Sequence, residues 1–363
     1  MAKKIKLLMF VPYSIHPMNA APAIRAYKLY HALKKIVDVT LISRPSYNFM
    51  PNYSKIGYLN FLLSLFGQMS SEIIQLIKKN KIDYVYIEAF GAPLHSFDYV
   101  FLNALKKRDI PIFPFIMDTY WKYPEIFKRN AQSDKYCQME YGWYLKNATA
   151  LLFPSETMAN TVNFPEKFAL PPAGDPSRCL NQKLPDNKNI TYMGEISPAM
   201  GIDILMKSIE IVIKKQPDAQ FTIVGHENKE LMVKCKNKNY ITFMINKTYK
   251  DIPNILSDTY ATIIPRQVNP YNDFAMPVKL LDYMSSGRPV ITTNCHETAR
   301  FIQENNCGII TEDNPNSIAK GILKLLENRD LAEIYGKNAF LAIKNKHSWK
   351  HRAEELVKIM EKY

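Results

Sequence analysis

The residues whose types and spacing could do chemistry concentrate in one stretch. It runs Arg266-Gln-Val-Asn-Pro-Tyr-Asn-Asp-Phe-Ala-Met-Pro-Val-Lys279-Leu-Leu-Asp282-Tyr-Met-Ser-Ser-Gly287-Arg-Pro289-Val-Ile291. It reads as a loop, a helix and a strand: Pro277 sits near a first helical turn, where proline is tolerated, and Gly287 and Pro289 end the helix. Lys279 and Asp282 are three apart and share a helix face. A helix N-terminus carries free N–H groups. Backed by Lys279 and Arg266, it suits a diphosphate. The Asp282 carboxylate suits two neighbouring hydroxyls, such as those of a ribose. A surface ion pair between Lys279 and Asp282 fits the same spacing. In the other half of the chain, Glu88 and Asp118 stand at the ends of apolar runs. In parallel α/β folds ligands gather there, so either carboxylate could orient a substrate hydroxyl. Asp118 could instead cap the turn that follows it.

These residues need a frame, and the hydrophobic pattern supplies one. Short apolar runs at 6–11, 37–43, 83–88, 111–117 and 148–153 alternate with helix-length segments, among them 23–35 with apolar residues at helical spacing. Strands separated by helices imply βαβ units and a parallel sheet. After the turn-rich 170–176 the rhythm restarts, with strands at 189–193, 220–225, 260–265, 289–292 and 308–311 and a helix at 202–213. The expectation is an α/β chain of two doubly wound, Rossmann-like domains facing a cleft: 1–170, a linker at 171–188, 189–346, and a C-terminal helix at 347–363 returning to the first domain. The segment 58–69 (YLNFLLSLFGQM) is too short to span a bilayer. It fits a core helix, or an amphipathic helix lying on a membrane surface.

Composition narrows the class. The chain has 363 residues, 47% hydrophobic and 22% charged, with a net charge of +13. This is globular and excludes disordered, fibrous and coiled-coil chains. The surplus is uneven: residues 1–170 hold 21 Lys and Arg against 12 Asp and Glu. A basic first half favours an anionic partner, though a well-solvated surface would look the same. Five scattered cysteines show neither a disulfide framework nor a CxxC site. The first residues read as a strand rather than a secretory signal, so the expected location is the cytoplasm. No GxxxxGK, GxGxxG or GxSxG is present, which removes the signatures of P-loop, dinucleotide-binding and serine-hydrolase chemistry. No nucleic-acid-binding motif accompanies the charge, so no nucleic-acid partner is expected.

The stretch Pro277-Val-Lys279-Leu-Leu-Asp282-Tyr-Met-Ser-Ser-Gly287-Arg-Pro289-Val-Ile291 resembles the donor-binding motif of glycosyltransferase family 4, retaining enzymes of the GT-B fold that often read P-x-K-L-x-E-Y-M-A-x-G-x-P-V-I there. The segment 190–203 is similar to the strand–loop–helix that opens the family's second domain, 221–225 to its next strand, and 299–311 and 347–349 to its closing elements. The resemblance implies a donor set of Asp282, Lys279, Arg266, Gly194, Glu195, Met276 and Val278. It implies an acceptor-facing first domain, with Asp118 and Glu88 as the candidate catalytic residues. The family's glycine-rich first loop is replaced by 16–22, in which small Asn19, Ala20 and Ala21 let backbone approach a ligand.

The family scheme is front-face attack, in which the donor's own phosphate helps take the acceptor proton. It requires no metal or other cofactor, and the seven histidines show no ligand cluster. The implied partners are a nucleotide-sugar donor, a sugar or lipid-linked acceptor, and an anionic membrane surface at the inner face of the cell membrane. Three departures stand out. Phe274 occupies the place of the first Glu of an E-x7-E pair, with Asp273 beside it as a substitute, and Glu195 and Met200 occupy places where the family carries cations. They keep two other readings open: a catalytically degenerate binding protein on the same fold, and a sugar-nucleotide epimerase.

Overall fold

The computed structural model describes residues 4–16, 18, 20–43, 71, 74–75, 78–79, 82–90, 94, 96–127 and 129–363. The segment 58–69 and Asn19, both singled out above, lie outside them. The chain forms two compact units: Met1–Pro171 together with Lys350–Tyr363, and Pro172–Trp349.

The first unit is built on six parallel strands: β1 (Lys6–Val11), β2 (Asp38–Ser43), β3 (Tyr84–Ala89), β4 (Ile112–Ile116), β5 (Leu151–Phe153) and β6 (Lys167–Ala169). Their order is β2-β1-β3-β4-β5-β6. The chain goes from β1 to one side and then crosses to the other, so the switch point lies between β1 and β3. β1, β3 and β4 are buried almost throughout. Unbroken apolar strands are what a parallel sheet covered on both faces requires.

The second unit is likewise built on six parallel strands, β7 (Asn189–Met193), β8 (Gln220–Gly225), β9 (Ile241–Ile245), β10 (Ala261–Ile264), β11 (Val290–Thr293) and β12 (Gly308–Thr311). The order β12-β11-β10-β7-β8-β9 puts its switch point between β7 and β10. The helix Ile202–Lys215 buries Ile202, Leu205, Ile209 and Val212 against this sheet. Gly201 precedes it at φ 81°, and a Cβ there would collide with the Pro265 carbonyl. Glycine is therefore what lets the loop after β7 lie against the end of β10.

Two strands in the structure, β6 and β9, were not expected from sequence. Both are edge strands, packed less completely than their neighbours. Residues 172–188, expected as a linker, belong to the second unit. The buried Arg288 guanidinium donates to the carbonyls of Asn181 (2.6 Å), Lys183 (3.1 Å) and Leu256 (2.7 Å) and ties the segment down. The C-terminal helix Trp349–Met360 groups almost entirely with the first unit. Among the described residues no helix is long and apolar enough to cross a membrane.

Candidate functional site

The switch point of the second sheet gathers most of the expected donor set. The helix Val278–Ser285 buries Leu280, Leu281, Tyr283 and Met284. Its remaining face carries Lys279 and, one turn on, Asp282. The Tyr283 hydroxyl accepts from the Met193 N–H at 2.8 Å, fixing the helix to the end of β7. No side chain caps the helix and its first turn has no acidic residue, so its N-terminal N–H groups keep their affinity for an anion.

Lys279 reaches the loop after β7. Its ammonium lies over the Tyr192 ring, 4.5 Å from the centroid, and a Cβ on Gly194 would collide with Nζ. Gly194 has φ 140°, so glycine here serves both the backbone and the lysine. Burial lowers the Lys279 pKa to about 7; the positive charge of Arg266 adds to this and Glu195 opposes it. Nε of Arg266 is buried without a hydrogen-bond partner among the described residues. Two cations are thus held close together where a third, anionic, group would relieve both.

Asp282 and Lys279 do not pair with each other. Asp282 faces a neighbourhood that sequence reasoning missed. Arg178 Nη1 lies 3.7 Å from Asp282 Oδ1, and the Tyr249 hydroxyl lies 3.5 Å from the same oxygen. The Arg178 guanidinium stacks on the Tyr249 ring at 3.5 Å and donates to the Tyr249 carbonyl. Burial, and then the Asp282 charge, push the Tyr249 phenol well up. Neither residue belongs to the motif: Arg178 comes from the segment read as linker and Tyr249 from the loop after β9. A lone basic residue in a turn-rich stretch gave no signal.

Val278 opens the helix, and Met276 is packed into the core beneath it. Glu195 is exposed, and its backbone carbonyl accepts from the Tyr192 hydroxyl at 2.6 Å. Met200 packs against the core. Phe274 is buried, with its ring 5.1 Å from that of Tyr271. Asp273 accepts from the His296 N–H at 3.1 Å, at the start of the helix His296–Asn305.

In the first unit the switch point is arranged differently. Glu88, in β3, is fully buried. Its Oε1 accepts from Arg25 and from the Tyr86 hydroxyl (2.7 Å), and Oε2 lies 3.4 Å from the Tyr13 hydroxyl. Both oxygens are engaged, the pattern of a group that holds its neighbours in place. Burial works against the Arg25 charge, and the Glu88 carboxylate more than restores it. Asp118, two residues past β4, is buried and accepts from the Thr119 N–H at 2.7 Å. That bond meets the chain at the residue preceding the 3-10 turn Tyr120–Lys122. Ala20 and Ala21 start the helix Ala21–Leu33, also uncapped by any side chain. Among the described residues no group of three or more His, Cys, Asp or Glu is placed to hold a metal ion.

Comparison with known proteins bears on both units. Over 99% of both chains, the structure is similar to sucrose-phosphate synthase from Thermosynechococcus elongatus, with TM-score 0.72 at 13% identity. It is similar to Anabaena HepE in complex with UDP and glucose, with TM-score 0.67 at 12% identity over 98% of this chain and 99% of that one. The fold is GT-B. Within this GT-B chain, residues 180–341 match the family described as glycosyl transferases group 1. A curated relative is spore coat protein SA of Bacillus subtilis (strain 168), 26% identical over 190 residues, which are 48% of this chain and 49% of that protein. The chain spans about half the length of the curated relatives it matches first. The matches support glycosyl transfer as the general group.

Proposed function

We propose that the chain is a retaining, family 4-like glycosyltransferase that moves a sugar from a nucleoside-diphosphate sugar to an acceptor hydroxyl in glycan, polysaccharide or glycolipid assembly. The observation that carries this is the seat at the second switch point. Lys279 is held against Gly194 beside Arg266 and an uncapped helix N-terminus, with the Asp282 carboxylate one turn away. The diphosphate takes the cationic end and the ribose hydroxyls take Asp282. Met276 and Val278 shape the helix start, and Gly194 and Glu195 offer backbone to the phosphates.

As the bond from the anomeric carbon to the phosphate oxygen breaks, negative charge grows on the leaving diphosphate. Lys279, Arg266 and the helix N–H groups stabilise that charge, and being already in place they do so without rearrangement. The acceptor oxygen bonds to the anomeric carbon on the face the leaving group departs, and its proton passes to the leaving phosphate. In the first unit Asp118 orients the acceptor hydroxyl, and Glu88 acts through Arg25. The scheme calls for no metal. The acceptor is a sugar or lipid-linked saccharide, met in the cytoplasm at an anionic membrane face, which suits the basic first half of the chain.

A second reading has its own observations. Phe274 is buried, and Glu195 and Met200 stand where the family carries cations, Met200 packed against the core. It makes the chain a nucleotide-binding partner without turnover. The experiment is a thermal-shift series with UDP, GDP and ADP, followed by nucleotide release from the matching sugar conjugates. The proposal expects one nucleotide to stabilise the protein, Lys279→Ala and Asp282→Ala to lose the shift, and release to depend on added acceptor. A shift without release supports the second reading. Release without any acceptor points to an epimerase. No shift with any nucleotide would sink both binding readings.

A further inference from the structure

The first unit contains two buried arginines that the scheme above leaves partly unused. Arg25 lies one turn into the helix Ala21–Leu33 and is 4% exposed; Arg352 lies on the C-terminal helix and is 5% exposed. Each gives Nη1 to a carboxylate, Arg25 to Glu88 and Arg352 to Glu355. Each has Nε and Nη2 buried without a hydrogen-bond partner among the described residues. That repeated pair of atoms is one edge of the guanidinium, the edge that grips a carboxylate or phosphate through two parallel N–H bonds. Leaving it unpaired inside a protein costs more than an ordinary unmade bond, because the group is charged.

The Arg25 edge is also rigid. Its guanidinium carbon lies over the Phe115 ring, 3.4 Å from the centroid. Its far end is held by Glu88 and by the Tyr86 hydroxyl at 2.8 Å. A cation clamped on one face and one end, with its bidentate edge unpaired, is preorganised for an oxyanion. Arg352 is close enough to feel it: burial, and with it the Arg25 charge, hold the Arg352 guanidinium below its ordinary value despite Glu355. Glu355 is itself 42% exposed, so it neutralises Arg352 less fully than Glu88 neutralises Arg25. An anion would relieve both arginines. Arg25 stands beside Glu88 at the sheet's switch point, the end of the sheet where parallel α/β folds bind ligands.

We propose that Arg25 and Arg352 form a buried oxyanion site in the first unit, taking a phosphate or carboxylate group carried by the acceptor. The word acceptor rests on the glycosyltransferase reading; the oxyanion site does not. The probe is inorganic phosphate against chloride at matched ionic strength, read by thermal shift on the full chain. A Lys279→Ala/Arg266→Ala background removes the two cations proposed to hold the diphosphate in the second unit. Phosphate is expected to stabilise that background by several degrees at tens of millimolar. Arg25→Lys keeps the charge beside Glu88 but loses the edge, and Arg352→Met keeps the buried stem. Each should weaken phosphate at least tenfold while the protein still unfolds cooperatively. No shift in the background, or an unchanged shift in both variants, overturns the site and leaves the edges to water.

A second arm separates the two sources of the anion. If the acceptor supplies it, Arg25→Lys and Arg352→Met raise KM for an acceptor bearing a phosphate or carboxylate. In Arg352→Met, which alters no group of the scheme above, KM for a neutral acceptor and for the sugar nucleotide stays put. Equal KM changes for charged and neutral acceptors overturn the acceptor assignment and make the site one for free phosphate. Failure of the glycosyltransferase reading shows separately, as absent nucleotide binding, and leaves the phosphate arm intact.

Discussion

The two switch points place a buried cation in opposite circumstances. In the first sheet Arg25 is matched by Glu88, a carboxylate buried as deeply, and its charge is reinforced. In the second sheet Lys279 stands beside another cation, Arg266, and its pKa falls to about 7. Both stand at the switch point of a six-stranded parallel sheet, and the difference lies in the side chains around them. A cation whose counter-charge is built in is part of the scaffold. A cation left beside a like charge binds its counter-charge from outside. On the proposed reading the second switch point takes all of its counter-charge from a bound anion, while the first is an anchored pair with one guanidinium edge left for one.

The largest effect should come from breaking the anchored pair. Glu88→Ala leaves Arg25 buried and unpaired, and denaturant unfolding should show a loss of about 3–5 kcal/mol. Lys279→Met, the parallel change in the second unit, removes a buried charge that opposes folding and should raise stability at pH 7, by up to roughly 4 kcal/mol, while weakening the bound nucleotide roughly 10- to 100-fold, the worth of a charged hydrogen bond. Equal losses of stability in the two variants would erase the contrast.

Next in size is a pH effect. Lys279 binds its proton less tightly folded than unfolded. Between about pH 7 and its ordinary value near 10.4 the unfolded chain therefore holds more protons, and stability rises with pH. Diphosphate binding needs the charged form. Nucleotide affinity should therefore fall above pH 7, by at most tenfold per unit, and titration calorimetry across pH 6–9 would show it. Lys279→Met should flatten both slopes.

The smallest effect concerns a carboxylate away from both seats. Glu140 accepts from the Tyr144 hydroxyl (3.0 Å) and the Leu94 N–H (3.2 Å), and burial raises its pKa to about 7. Its contribution is fully present below about pH 4.5 and is lost as pH rises through 7. Glu140→Gln should make the protein more stable than the parent above pH 7, by up to roughly 3 kcal/mol. Melting curves at pH 5 and pH 8 would decide it.

The sequence made the central strands legible because both faces of a parallel sheet demand unbroken apolar runs, as in β1, β4 and β7. The edge strands β6 and β9 lack that demand and were missed. Lys279 and Asp282 were legible as one helix face, since 3.6-residue periodicity fixes it. What they meet was not legible. Arg178 and Tyr249 arrive from segments 104 and 33 residues before Asp282 in the chain, and only the fold brings them together. The same holds for Arg25 and Glu88, 63 residues apart. Spacing reports neighbours along an element; pairing across elements is set by topology, and the charge balance of a buried site depends on it.

Lys279 is the residue on which the proposed diphosphate seat depends most. The direct measurement is calorimetric titration at pH 8, with UDP, GDP or ADP as the thermal shift selects, in two buffers of different ionisation enthalpy. A lysine with a pKa near 7 that becomes charged on binding takes up close to one proton per nucleotide at that pH. That uptake is expected in the parent chain, and its loss together with weaker binding in Lys279→Met. Tight binding with no proton uptake, unchanged by Lys279→Met, would contradict it.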